Sequence, residues 1–67
     1  MNLEFQNLAD SNHRAAALMQ RLGGGFASAL GLAYHRGDLD NQARILGAFA
    51  DLFAKYREMA SEEFFQE

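Results

Sequence analysis

Between Asn41 and Ala60 the sequence carries two stripes of residues at helical spacing. The larger stripe consists mainly of bulky apolar residues and predicts a core face: Ile45, Leu46, Phe49, Leu52, Phe53, Tyr56, Met59 and Ala60. The smaller stripe has only small side chains, which let another backbone approach closely: Ala43, Gly47, Ala50 and Ala54. A helix with two such faces has two neighbours. The pattern therefore predicts a packing and docking protein.

Glycines and short polar clusters divide the chain into three predicted helices, over residues 3–22, 26–36 and 40–62. The run Gly23–Gly25 ends the first helix and Gly37 ends the second, because glycine tolerates the left-handed conformation of a helix C-terminus. Asp38 or Asp40 caps the third helix. The chain has no proline, so we expect the third helix to be continuous.

The first two predicted helices each have one apolar face. In the first helix this face is Phe5, Leu8, Ala15, Ala16, Met19 and Leu22. Its phase continues across Asp10, which favours one helix with Asn12 in the apolar stripe over a break near Asp10 with a new helix from about Asn12. In the second helix the face is Phe26, Leu30, Ala33 and Tyr34, with Ala27 at its edge.

The small size of the chain predicts that it associates with a second chain. A single domain of 67 residues buries only about 60% of its unfolded-state surface, and the absence of cysteine excludes a disulfide. We therefore expect an all-α three-helix unit with a short middle helix and a long C-terminal helix, completed by dimerisation. The small stripe and the pair Phe64 and Phe65 are the predicted interface. The alternatives are that the short second helix packs on the small stripe and that the two phenylalanines cover the core.

Charge and hydropathy limit the partners. The net charge of −3 disfavours nonspecific binding to nucleic acid and to an anionic membrane. No apolar run approaches the roughly 18 residues of a membrane span. The N-terminal residues have neither a basic region nor an apolar block, so no signal peptide is expected and the cytoplasm is the predicted compartment.

The sequence contains no motif for catalysis or for metal binding. His13, His35, Asp38 and Asp40 are the residues that we considered as ligands or as acid–base groups. Neither histidine has a second histidine at the i+3 or i+4 spacing of helical zinc motifs. The chain is therefore predicted not to be an enzyme and to hold no metal or cofactor.

DNA binding is the alternative function, because the second and third predicted helices are joined by a short turn as in a helix-turn-helix. Asn41, Gln42 and Arg44 stand at the start of the third helix, where a recognition helix contacts bases. Asp38 and Asp40 would face the phosphates, which disfavours this function.

The segment from Asp38 to Tyr56 resembles a pattern in small accessory proteins of bacteriophages and prophages. In this chain it is Asp-x-x-Asn-x-x-x-Ile-Leu-x-Ala-Phe-x-x-Leu-Phe-x-x-Tyr. Related-looking sequences often place proline after the phenylalanine, where this chain has Ala50. The resemblance implies a protein that binds and redirects a host protein or complex, including inhibition of a defence system such as CRISPR–Cas. It assigns no functional residue.

Overall fold

The computed structural model describes the backbone of residues 3–65 and the side chains of residues 11–62. This part of the chain forms four α-helices: α1 (Leu3–Leu22), α2 (Gly24–Arg36), α3 (Leu39–Ala48) and α4 (Ala50–Phe65). The all-α prediction is confirmed, and so is the prediction of one N-terminal helix, since α1 passes through Asp10 without a break. Among the described residues, no helix combines the length and apolar character that crossing a membrane requires.

A single residue, Gly23, separates α1 from α2. Its N–H donates to the carbonyl oxygen of Met19 at 2.8 Å. A Cβ at Gly23 would overlap that oxygen and the Cβ of Ala27. The next residue, Gly24, has a φ of +73°, in the region that favours glycine. Both glycines are therefore needed for a turn this tight, which folds α2 back along α1.

The two helices are in close contact at Ala16 and Gly31. Ala16 is fully buried, and a Cβ at Gly31 would overlap its carbonyl oxygen. The buried face of α2 is Ala27, Gly31 and Tyr34. Phe26 and Ala33 are exposed, so the predicted apolar face of this helix is wrong at these two positions. Gly31 packs against the backbone of α1 and Ala27 is buried beside it, which leaves Phe26 and Ala33 on the outer side of α2.

The predicted third helix is two helices, because the chain bends at Phe49. This residue has a φ of −123° and a ψ of 41°, although its N–H still donates to the oxygen of Ile45 at 2.9 Å. A straight helix over Leu39–Phe65 would be about 40 Å long, whereas the longest extent of the molecule is 31 Å. The bend lets both halves pack on the body. The prediction of a continuous third helix is therefore wrong. The chain bends here although it has no proline, because Gly47, just before the bend, weakens the helix.

The core lies between α1, α2 and α4. Met19 and Phe53 are its largest fully buried side chains, and the ring centre of Tyr34 lies 5.2 Å from that of Phe53. The larger stripe faces this core, as predicted, with Phe53 and Tyr56 buried and its other members packed against them. Leu22 is 57% exposed at the end of α1, so its predicted place in the core is wrong.

Asn12 is a buried polar residue within the apolar face of α1, with 6% of its surface exposed. Its Oδ1 accepts a hydrogen bond of 2.8 Å from Nη1 of Arg57 in α4. A buried amide without a partner destabilises the fold. This bond therefore explains how α1 carries a polar residue in its apolar stripe, and it joins α1 to α4.

Candidate docking surface

An open groove lies where α3 meets α4, beside the first turn of α2. It encloses about 560 Å³ and is lined by Phe26, Gly47, Ala48, Phe49, Ala50, Asp51 and Leu52. We call this surface the joint groove. Asp51 is the charged member of this lining, and its side chain is exposed. Because the groove spans the junction of α3 and α4, its shape depends on the bend at Phe49.

Phe26 forms an exposed apolar edge of the joint groove. Its ring centre lies 5.6 Å from that of Phe49, at an interplanar angle of 60°. This separation is typical of a stabilising aromatic pair. Phe26 is nevertheless 64% exposed. Phe49 therefore holds the ring in position without covering it.

Gly47 leaves open space beside this ring. Apart from its chain neighbours and the local backbone of α3, no described atom lies within 4 Å of a Cβ built at Gly47. Ala50, the next small residue of the lining, is exposed. A side chain from another molecule could therefore contact the backbone of α3 directly at this point.

The structure brings together half of the predicted small stripe. Gly47 and Ala50 both line the joint groove. Ala43 and Ala54 are exposed on α3 and α4 but are not part of its lining. The close helix contact inside the monomer is instead between α1 and α2, so the small stripe remains on the surface. The side chains of Phe64 and Phe65 lie outside the described residues.

The residues of the DNA-binding alternative have mixed roles. Asp38 caps α3, since its Oδ1 accepts from the backbone N–H of Asn41 at 2.9 Å. Nε2 of Gln42 donates to the carbonyl oxygen of Tyr34 at 2.8 Å, so this amide links α3 to the end of α2. Asn41 and Arg44 are exposed. Asp38 and Asp40 are exposed at the same helix start and would repel a phosphate backbone.

The two histidines, which the sequence separates by most of two helices, are neighbours in the fold. The ring centres of His13 and His35 lie 4.3 Å apart at an interplanar angle of 71°. Partial burial lowers the pKa of His35, and the charge of a protonated His13 lowers it further. No group of three or more His, Asp or Glu residues suited to a metal ion occurs among the described residues. The sequence could not predict the contact between His13 and His35, because the spacing of residues along one helix does not show which residues of two helices will meet.

A second groove lies along α2 and the end of α1. It encloses about 490 Å³ and is lined by Gln20, Arg21, Gly24, Gly25, Ser28, Ala29 and Leu32. This groove is more open and has a more polar lining than the joint groove. The joint groove is therefore the better candidate for an apolar contact.

No family model, curated protein or solved structure matches this chain. The function is therefore inferred from the chain's own residues. Sequence reasoning identified Gly47 and Ala50 but assigned Phe26 to the core. The sequence carries no local signal for its exposure, because whether Phe26 or its neighbour Ala27 is buried depends on how α2 packs against α1.

Proposed function

We propose that this chain is a non-enzymatic protein–protein interaction module and that the joint groove is its docking surface. The observation that supports this most directly is Phe26, a large aromatic side chain that is 64% exposed beside the open space at Gly47. Exposed aromatic side chains next to apolar hollows are typical of the centres of protein interfaces.

The occupant that best fits the joint groove is a second copy of the chain. A two-fold dimer needs one surface that is complementary to itself. The groove offers both parts, since Phe26 protrudes while Gly47 and Ala50 leave room. In a symmetric dimer the ring of each copy would lie in the hollow of the other. Asp51, exposed in the same lining, would stay at the rim in water.

The size of the monomer supports the same occupant. Among the side chains that the structure describes, Met19 and Phe53 are the largest fully buried ones, and a domain of 67 residues can form only a small core of its own. A stable interface buries about 800 Å² per partner, about one sixth of the 4921 Å² that the chain exposes. The groove alone is too small for this. The contact would extend along α3 and α4 to Ala43 and Ala54, both exposed.

The proposed role of the dimer is to bind and redirect a host protein complex. This part of the proposal rests on the resemblance of segment 38–56 to small phage and prophage accessory proteins. The resemblance implies binding to a host complex, for example a CRISPR–Cas defence system. The acidic net charge of −3 favours a protein partner over nucleic acid.

Sedimentation equilibrium of the purified chain tests the docking surface. The informative variant is Phe26→Ala, and the matched control is Leu39→Ala, which removes a side chain that is 83% exposed and not in the groove. Each copy would bury on the order of 100 Å² of ring at about 25 cal/mol per Å². Phe26→Ala should therefore weaken the dimer by at least about 100-fold.

A second pair of variants adds a larger side chain, one inside the groove and one at a control site outside it. Ala50→Leu should prevent dimerisation by occupying the space for the partner's ring, while Ala17→Leu, at an exposed site on α1, should not. Circular dichroism would verify that every variant keeps its helices. A wild-type chain that is monomeric at high micromolar concentration, or Phe26→Ala and Ala50→Leu variants that dimerise as the wild type does, would refute the second copy as occupant. Salt-sensitive, sequence-selective binding in a gel-shift series would favour the DNA-binding alternative.

A further inference from the structure

His13 and His35 form a pair of metal-binding side chains that comes from two different helices. His13 lies in α1, and His35 lies in the last turn of α2. They are the only two histidines of the chain. The antiparallel packing of the helices places their ring centres 4.3 Å apart. The close contact of Ala16 with Gly31, about one turn away on each helix, fixes the backbones from which the two rings project.

The spacing of the pair is close to that of two imidazoles on one metal ion. Two imidazoles that bind one ion through metal–nitrogen bonds of about 2.0–2.1 Å hold their ring centres about 4.5–5 Å apart. The observed separation is slightly shorter and the rings meet edge to face at 71°, so binding requires both side chains to rotate until one nitrogen of each ring points toward the ion. His13 is exposed and His35 is partly exposed, so an ion can enter from solvent without opening the core.

We propose that His13 and His35 bind one late first-row divalent transition-metal ion at the surface between α1 and α2. Neutral imidazole suits Cu²⁺, Ni²⁺ and Zn²⁺, and Cu²⁺ should bind most tightly of the three. No third His, Asp or Glu of the described residues completes a cluster, so water molecules fill the remaining positions. The ion acts as a clamp across the helix pair, because the folded arrangement holds both imidazoles together and therefore binds it more tightly than the separated histidines of the unfolded chain do.

The test uses the full chain freed of any affinity tag, titrated with CuCl₂ and, separately, with NiCl₂. The wild type should bind one equivalent of Cu²⁺ with an electron paramagnetic resonance spectrum that shows coupling to two imidazole nitrogens, and both ions should raise its melting temperature. His13→Asn and His35→Asn should each show one imidazole. Losing even an indirect partner of a metal site costs about 10–100-fold in affinity, so each variant should bind at least about tenfold more weakly.

The control variant is Gln20→Asn, a conservative change at an exposed site on α1 that leaves both histidines in place. It should bind Cu²⁺ as the wild type does. A single-imidazole spectrum for the wild type, or equal affinities of the wild type and either histidine variant, would overturn the proposal. The spectroscopic count of imidazoles does not depend on how much each substitution changes the stability of the fold.

Discussion

Replacing Gly31 with alanine should destabilise the protein, because it adds one methyl group where the backbones of α1 and α2 are in close contact. The new Cβ would overlap the carbonyl oxygen of Ala16 and lie 3.2 Å from the Cβ of Met19 and 3.2 Å from the Cγ of Gln20. The side chain of Gln20 can move, but the oxygen belongs to the backbone of α1. The helices must therefore separate, which loosens the packing of the fully buried Ala16.

The expected size of this effect follows from two opposing terms. Overpacking costs about 1–3 kcal/mol, while alanine in place of glycine in a helix contributes about 0.5–1 kcal/mol. Because the new Cβ meets backbone that cannot move aside, the overpacking cost lies in the upper part of its range, about 2–3 kcal/mol. We therefore expect Gly31→Ala to lower the free energy of unfolding by about 1–2.5 kcal/mol, which corresponds to a melting temperature lower by roughly 4–20 °C.

Gly47→Ala is the matched control, because it makes the same chemical change where, apart from its chain neighbours and the local backbone of α3, no described atom lies within 4 Å of the new Cβ. Only the gain from replacing glycine with alanine in a helix applies there, so Gly47→Ala should be more stable than the wild type by about 0.5–1 kcal/mol. Urea denaturation followed by circular dichroism, at one low protein concentration for all variants, measures both effects. If Gly31→Ala is as stable as the wild type, the close packing of α1 on α2 is wrong.

Three further predictions concern single interactions. Arg57→Met removes the hydrogen bond to the buried Asn12 and should cost about 1–3 kcal/mol in urea denaturation, while adding Asn12→Leu should recover much of that loss. Asp38→Ala removes the cap of α3 and should cost about 1 kcal/mol, whereas Asp38→Asn should stay close to the wild type. Burial raises the pKa of Tyr34 above its usual 10.0, so its contribution to stability is complete below about pH 10 and is lost as the pH rises through the folded-state pKa. Tyr34→Phe should therefore lose less stability than the wild type between about pH 9 and pH 11, and identical declines would contradict this assignment.

The helices could be predicted from the sequence because their signals are local. Gly23 and Gly37 mark two of the boundaries, and the apolar phase across Asp10 correctly indicates one N-terminal helix. The bend at Phe49 could not be predicted in the same way. Its local signal, Gly47, is weak, and its cause is global, since a straight helix would extend beyond the body it packs on.

The site was only partly predictable from the sequence. Small residues show where another backbone can approach a helix, but they do not show where one approaches it in the fold. The stripe with Gly47 and Ala50 allows close packing, yet in the monomer the close contact is made by Ala16 and Gly31. The one-residue turn at Gly23 decides this, since it forces α2 back along α1. The same constraint turns Phe26 outward into the joint groove.

Photo-cross-linking from position 26 tests the proposed docking surface most directly. Phe26 would be replaced by the photoreactive p-benzoylphenylalanine, and equal amounts of unlabelled and ¹⁵N-labelled chain would be mixed before irradiation. Mass spectrometry then separates links between copies from links within one copy. We expect mixed-label dimers in which position 26 is joined to the segment around Gly47 and Ala50 of the other copy. Cross-links that form only within one chain, or only to a surface remote from the joint groove, would contradict the proposed dimer.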